Sequence, residues 1–181
     1  MRDKVSIIVV FSLMLVSGCT TRYAAPANGP TATIDFENEA LEKMSVEFYD
    51  GAKECTNRKV GGFIKPKSKR SFVIPANKDV VYTVSIGDGP AGLLLVGGGL
   101  LGAQYMDATY SGCNPTIDFI PQDRGRYAFI MKSHKQGCQY VFEMKSPLDE
   151  KGKKVQLETF SVREWIRPFG EEGPFCKEKK P

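Results

Sequence analysis

The chain has 181 residues, a formal net charge of +4 and 41% hydrophobic residues. That length holds one domain with a real core, and the weak positive charge gives no argument for nucleic acid. Five cysteines and a single histidine form no Cys/His pair at zinc spacing, and neither G-x-S-x-G nor H-E-x-x-H occurs, so no catalytic or metal residues and no cofactor are expected.

Arg2 and Lys4 open the chain, and Val5 to Val16 follows as an apolar run broken only by Ser6 and Ser12. A basic start, a short apolar run and a small-residue exit make a secretory signal. The run is too short to span a bilayer comfortably, which takes about 20 apolar residues. At its exit, Val16, Ser17 and Gly18 precede Cys19. These four residues resemble the lipobox of bacterial lipoproteins. The resemblance covers only the leader (residues 1–18) and implies cleavage before Cys19, with diacylglycerol on its sulfur and usually a third acyl chain on its new amino group. At about 0.8 kcal/mol per buried methylene, such chains anchor a protein stably to a membrane. The competing reading is an ordinary secretory signal with an accidental cysteine. Thr20 follows where an aspartate favours inner-membrane retention in enteric-type lipoproteins, so the resemblance implies an outer-membrane anchor, expected to face the periplasm.

Removing the leader takes away Arg2, Asp3 and Lys4, so 163 residues with a charge of +3 remain. Residues 19–30 carry two prolines and no hydrophobic period, and they read as the lipidated terminus and a flexible tether. From Ala32 the period becomes two. Ile34 and Phe36, then Met44, Val46 and Phe48, alternate with polar residues as half-buried strands do. The link from Asn38 to Lys43 holds helix formers and room for one helical turn. Further strand patterns run over Ser71–Ile74, Val80–Ile86, Thr116–Ile120, Tyr127–Met131, Cys138–Met144 and, more weakly, Val155–Val162. Seven or eight short strands between Gly, Pro and Asp turns predict an all-β fold. The expected form is an antiparallel β-sandwich, immunoglobulin-like or prealbumin-like, over residues 31–168, with 169–181 as a C-terminal tail.

With Cys19 assigned to lipid, Cys55, Cys113, Cys138 and Cys176 make two disulfides in one of three connectivities. Cys113 precedes one strand and Cys138 starts another from the same sheet edge, so Cys113–Cys138 is the geometrically natural bond. Cys55–Cys176 then follows by elimination and staples the tail to the domain.

Two stretches invite a functional reading. Gly97-Gly98-Gly99-Leu100-Leu101-Gly102 fits G-x-G-x-x-G, but no helical apolar face follows, and an exported compartment lacks the dinucleotide. Residues 91–103, with Leu93, Leu94, Leu95, Leu100 and Leu101, are either a buried hairpin or loop, or an exposed apolar loop that meets a membrane or partner. The segment 57–70 holds Arg58, Lys59, Lys65, Lys67, Lys69 and Arg70 and no acid. It is either a solvated edge guarded by lysines, or a surface in which Lys67, Lys69 and Arg70 attract anionic lipid or an acidic partner. Trp165 reads as a core plug or an interface anchor, and His134 as a solvated turn residue.

The resulting expectation is a non-catalytic binding or accessory lipoprotein of the envelope with an unknown envelope protein as partner. Two alternatives are an inhibitor of cell-wall lytic enzymes and an enzyme acting on carbohydrate or peptidoglycan.

Overall fold

The computed structural model describes residues 21–86, 113–134, 137–146, 160–166 and 173–177. These residues form nine strands and no helix: β1 (Thr31–Asn38), β2 (Met44–Gly51), β3 (Thr56–Ile64), β4 (Ser68–Pro75), β5 (Val80–Ile86), β6 (Thr116–Phe119), β7 (Arg126–His134), β8 (Gly137–Ser146) and β9 (Phe160–Arg163). They are arranged as two sheets, one ordered β4-β1-β7-β8 and the other β3-β2-β5-β6-β9. The chain is therefore all-β, and every named pairing is antiparallel except β1 with β7, which run parallel.

The period of two in the sequence becomes a single shared core. Ile34 and Phe36 on β1, Met44 and Val46 on β2, Tyr82 and Val84 on β5, and Phe129 and Met131 on β7 are all fully buried in one cluster. The rings of the two sheets interlock. Phe36 meets Tyr82 edge-on at 5.0 Å, Phe48 lies 5.3 Å from Phe72, and Phe119 lies 4.9 Å from Phe142. Edge-to-face geometry of this kind adds about 0.5–1.5 kcal/mol per pair beyond the area buried.

Strand β5 is buried along nearly its whole length, on both faces. Its inward residues Val80, Tyr82 and Val84 belong to the shared core. Its outward residue Val81 joins Tyr49, Cys55, Phe175 and Cys176 in a second, smaller cluster. This cluster forms where the C-terminal segment lies against the outer face of the five-stranded sheet. Cys55 and Cys176 are joined by a disulfide across 121 positions of sequence. In the chain-entropy model, closing a loop of that length stabilises the fold by about 5 kcal/mol. Arg163 ties the same layer together: its buried guanidinium donates to the carbonyls of Ala52, Lys53 and Lys177.

Two local features depart from the sequence expectation. Strand β3 lies within what reads as a basic edge segment. Among the named strands it pairs with β2 alone, and its register shifts opposite Val46 and Glu47, where Gly61 is the extra residue. A Cβ on Gly61 would come within 3.0 Å of the Val46 carbonyl, and Gly62 adopts φ +109° with Arg70 packed against it. The link after β1 is a set of bends rather than a helical turn. Buried Asn38 directs it: its Oδ1 accepts from Ala40 N–H, and its Nδ2 donates to the carbonyls of Glu42 and Ile64. Asparagine competing with the backbone in this way favours a turn over a helix.

Candidate functional site: the docked N-terminal strap and the basic edge

The expected lipidation residues Val16, Ser17, Gly18 and Cys19 lie outside the described residues. So do Leu93, Leu94, Leu95, Leu100 and Leu101, and with them both readings of the apolar segment. His134 and Cys138 are placed by their backbones at the facing ends of β7 and β8, and their side chains lie outside the description. Cys113 is disulfide-bonded. Its sulfur lies 3.8 Å from that of Met131, and its backbone bridges to Ile86. Trp165 bridges to Cys176, so it belongs to the stapled outer layer, not to an end of the shared core.

The N-terminal stretch meets the domain earlier than its composition suggests. Thr21 accepts a hydrogen bond from Val60 N–H at 2.9 Å, and Tyr23 N–H donates to the Val60 carbonyl at 3.0 Å. Arg22 thereby bridges to Val60 in parallel fashion on the outer edge of β3. The Tyr23 ring stacks on Phe48 of one sheet at 4.1 Å and meets Phe72 of the other edge-on at 6.0 Å. Its hydroxyl donates to the Val73 carbonyl of β4 at 2.8 Å. Residues 21–23 are thus a strap that closes the gap between the edge strands β3 and β4. Burial, helped by the nearby Asp50 charge, pushes the Tyr23 pKa up to about 12.

The basic segment runs along this strapped side, because β3 and β4 are the edge strands of their respective sheets. Most of its charge is answered locally. Arg58 pairs with Glu47 at 3.4 Å and sits over the Phe175 ring at 4.8 Å, and Lys59 pairs with Asp50 at 2.8 Å. Lys69 approaches Asp35 at 3.9 Å, Lys67 donates to the Glu39 carbonyl, and Arg70 stacks on Phe72 at 4.9 Å. Exposed pairs like these contribute under about 1 kcal/mol each, yet they lower the field that an acidic ligand would meet. A shallow depression of about 230 Å³ lies among Glu37, Asn38, Glu39, Lys67, Ser68 and Lys69. Its mixed acids and lysines favour neither sign of ligand.

Polar side chains also cluster on the outer face of the five-stranded sheet. The Tyr49 hydroxyl bonds Thr83 Oγ1 at 3.1 Å, which bonds Thr116 Oγ1 at 2.7 Å. Burial, followed by the Glu47 charge, raises the Tyr49 pKa, so this ladder stays neutral. The acids flanking it, Glu47 on β2 and Asp118 on β6, are two strand spacings and two residues apart in register. That places their backbones about 12 Å apart. No group of three His, Cys, Asp or Glu among the described residues could hold a metal ion.

The chain matches no protein-family model and no curated protein. The site therefore rests on its own geometry. The strap left one faint trace in the sequence: Tyr23 is the sole large apolar side chain between Thr20 and Pro30.

Proposed function

We propose that this protein is a lipoprotein anchored through Cys19 to the outer membrane, with its domain in the periplasm serving as a non-catalytic binding or accessory component of the envelope. The lipobox-like Val16-Ser17-Gly18-Cys19 is the basis for the anchor. The observation that carries the compartment is the Cys55–Cys176 disulfide, since structural disulfides form and persist in oxidising compartments. We further infer that the two sheets pack face to face as a sandwich. Rings from β1 and β4 interleaved with rings from β2 and β5 support that packing. In the immunoglobulin arrangement the first and second strands share a sheet. Here β1 and β2 lie in different sheets, which favours the prealbumin-like alternative.

The anchor is tested by fractionation and palmitate labelling of the full-length chain beside a Cys19→Ala variant. The wild type is expected in the outer-membrane fraction and labelled; the variant is expected to be unlabelled and soluble. Equal labelling of both would end the lipoprotein reading. Crosslinking in intact envelopes followed by pull-down tests the accessory role. A stoichiometric envelope protein supports it, whereas capture of a lytic enzyme would replace it with the inhibitor reading.

A further inference from the structure

We propose that the strap shortens the lipid leash to two residues, so that the β3 side of the domain rests on anionic phospholipid headgroups. This rests on the lipidation of Cys19 proposed above. A free tether from Thr20 to Pro30 would reach about 36 Å at roughly 3.3 Å per residue and let the domain tumble well clear of the surface. The docked strap removes most of that reach. Thr21 is already hydrogen-bonded to Val60, and Tyr23 is clamped between Phe48, Phe72 and the Val73 carbonyl. Only Thr20 lies between Cys19 and Thr21, and the two residue steps span at most about 7 Å. The acyl chains must therefore enter the bilayer beside β3.

The strand order then fixes which side faces the lipid. β3 is one edge of its sheet and β9 the other, four strand spacings away. At about 4.8 Å per spacing, β9 is held about 19 Å from the anchored edge. β8 goes with it, because Phe142 of β8 packs against Phe160 of β9 at 5.3 Å. The β3 side carries features that suit headgroups. Arg22, bridged to Val60, and Asn57, three positions before it on β3, are exposed; Lys59 precedes Val60, and residues 57–70 contain no acid. Phe63, three positions beyond Val60, is 68% exposed, an aromatic suited to the interfacial layer. Pairing of Arg58, Lys59 and Lys69 with acids of neighbouring strands leaves short-range attraction to a close surface, not a long-range field.

The test uses the full lipidated protein in vesicles of phosphatidylglycerol and phosphatidylethanolamine. The photoreactive amino acid benzoylphenylalanine is placed at exposed Phe63 on β3, or at Val141 on β8. Illumination is expected to give lipid adducts from position 63 and none from position 141. Replacing the anionic lipid with phosphatidylcholine should weaken the adduct about fivefold. A Tyr23→Gly strap variant should label both positions weakly and alike. Equal labelling at 63 and 141 in the wild type, or no labelling at either while the protein stays membrane-bound, would overturn the proposal. Wild-type protein that leaves the vesicles as readily as Cys19→Ala would instead overturn the lipidation on which it rests.

Discussion

The described residues form two hydrophobic clusters, and they are held by different means. The shared core draws 22 buried residues from both sheets, with Phe36, Tyr82 and Phe129 interlocking at its centre. Among the described residues, the outer layer buries Tyr49, Cys55, Val81, Phe175 and Cys176. Five side chains bury little apolar surface against the backbone entropy of fixing residues 173–177, about 1–2 kcal/mol each. The layer needs a covalent bond and the three-carbonyl grip of Arg163. Apolar area suffices where two periodic faces meet; where a tail meets one face, staples replace area.

That contrast can be broken from either side. Replacing both Cys55 and Cys176 with serine removes about 5 kcal/mol in the chain-entropy model. Urea unfolding measures the loss. Limited proteolysis should show the tail cut first while the β1–β7 and β2–β5 pairings persist. Phe36→Ala is expected to cost about 3–5 kcal/mol and to loosen both sheets together, with no early cut in the tail. Arg163→Met removes the donor from three part-buried carbonyls and should cost about 2 kcal/mol, again with early tail cleavage. If Phe36→Ala released the tail before the core, or the serine pair unfolded everything at once, the two-regime description would be wrong.

The smaller effects fall on the strapped edge. Because burial raises the Tyr23 pKa from 10.0 to about 12, the docked form holds its proton more tightly than the released form. The contribution of Tyr23 is full below about pH 10 and is lost as pH rises through about 12. Tyrosinate absorbance of the wild type and of Tyr23→Phe should differ by one late-titrating group. A difference at the ordinary tyrosine pKa would mean that the ring is not docked. Changing Lys67, Lys69 and Arg70 together to serine should shift stability by less than about 0.5 kcal/mol per site, because all three residues are themselves exposed.

The difference between the clusters is also the difference in what was legible. β1, β2, β5, β6, β7 and β8 show in the sequence because each presents a periodic apolar face to the core. The continuous run Val80-Val81-Tyr82-Thr83-Val84 also carries a signal of its own: a strand apolar on both faces is covered on both, as β5 is. The tail that does the covering was reachable only through cysteine arithmetic, which led by elimination to Cys55–Cys176. β3 was hidden because an edge strand with a Gly61–Gly62 bulge has neither alternation nor a strongly apolar face. The strap was hidden because Tyr23 is a lone aromatic among alanines and prolines, and its meaning lies wholly in the gap it fills. For the basic segment, the sequence gives the charges of residues 57–70. It does not show the acids of β1 and β2 that the fold sets against them.

The parallel pairing of β1 with β7 bears on the time course of folding. Thr33 finds its partner in Arg126, more than ninety positions away, and without β7 the strand β1 has only β4 beside it. Loop closure over such a span is slow and must precede the contacts that reward it, which places the domain among millisecond-to-second folders. The four-stranded sheet cannot be completed until β8 has been delivered. For a chain proposed to be exported, the four-stranded sheet therefore stays at its β4–β1 pair while the second half is still in transit.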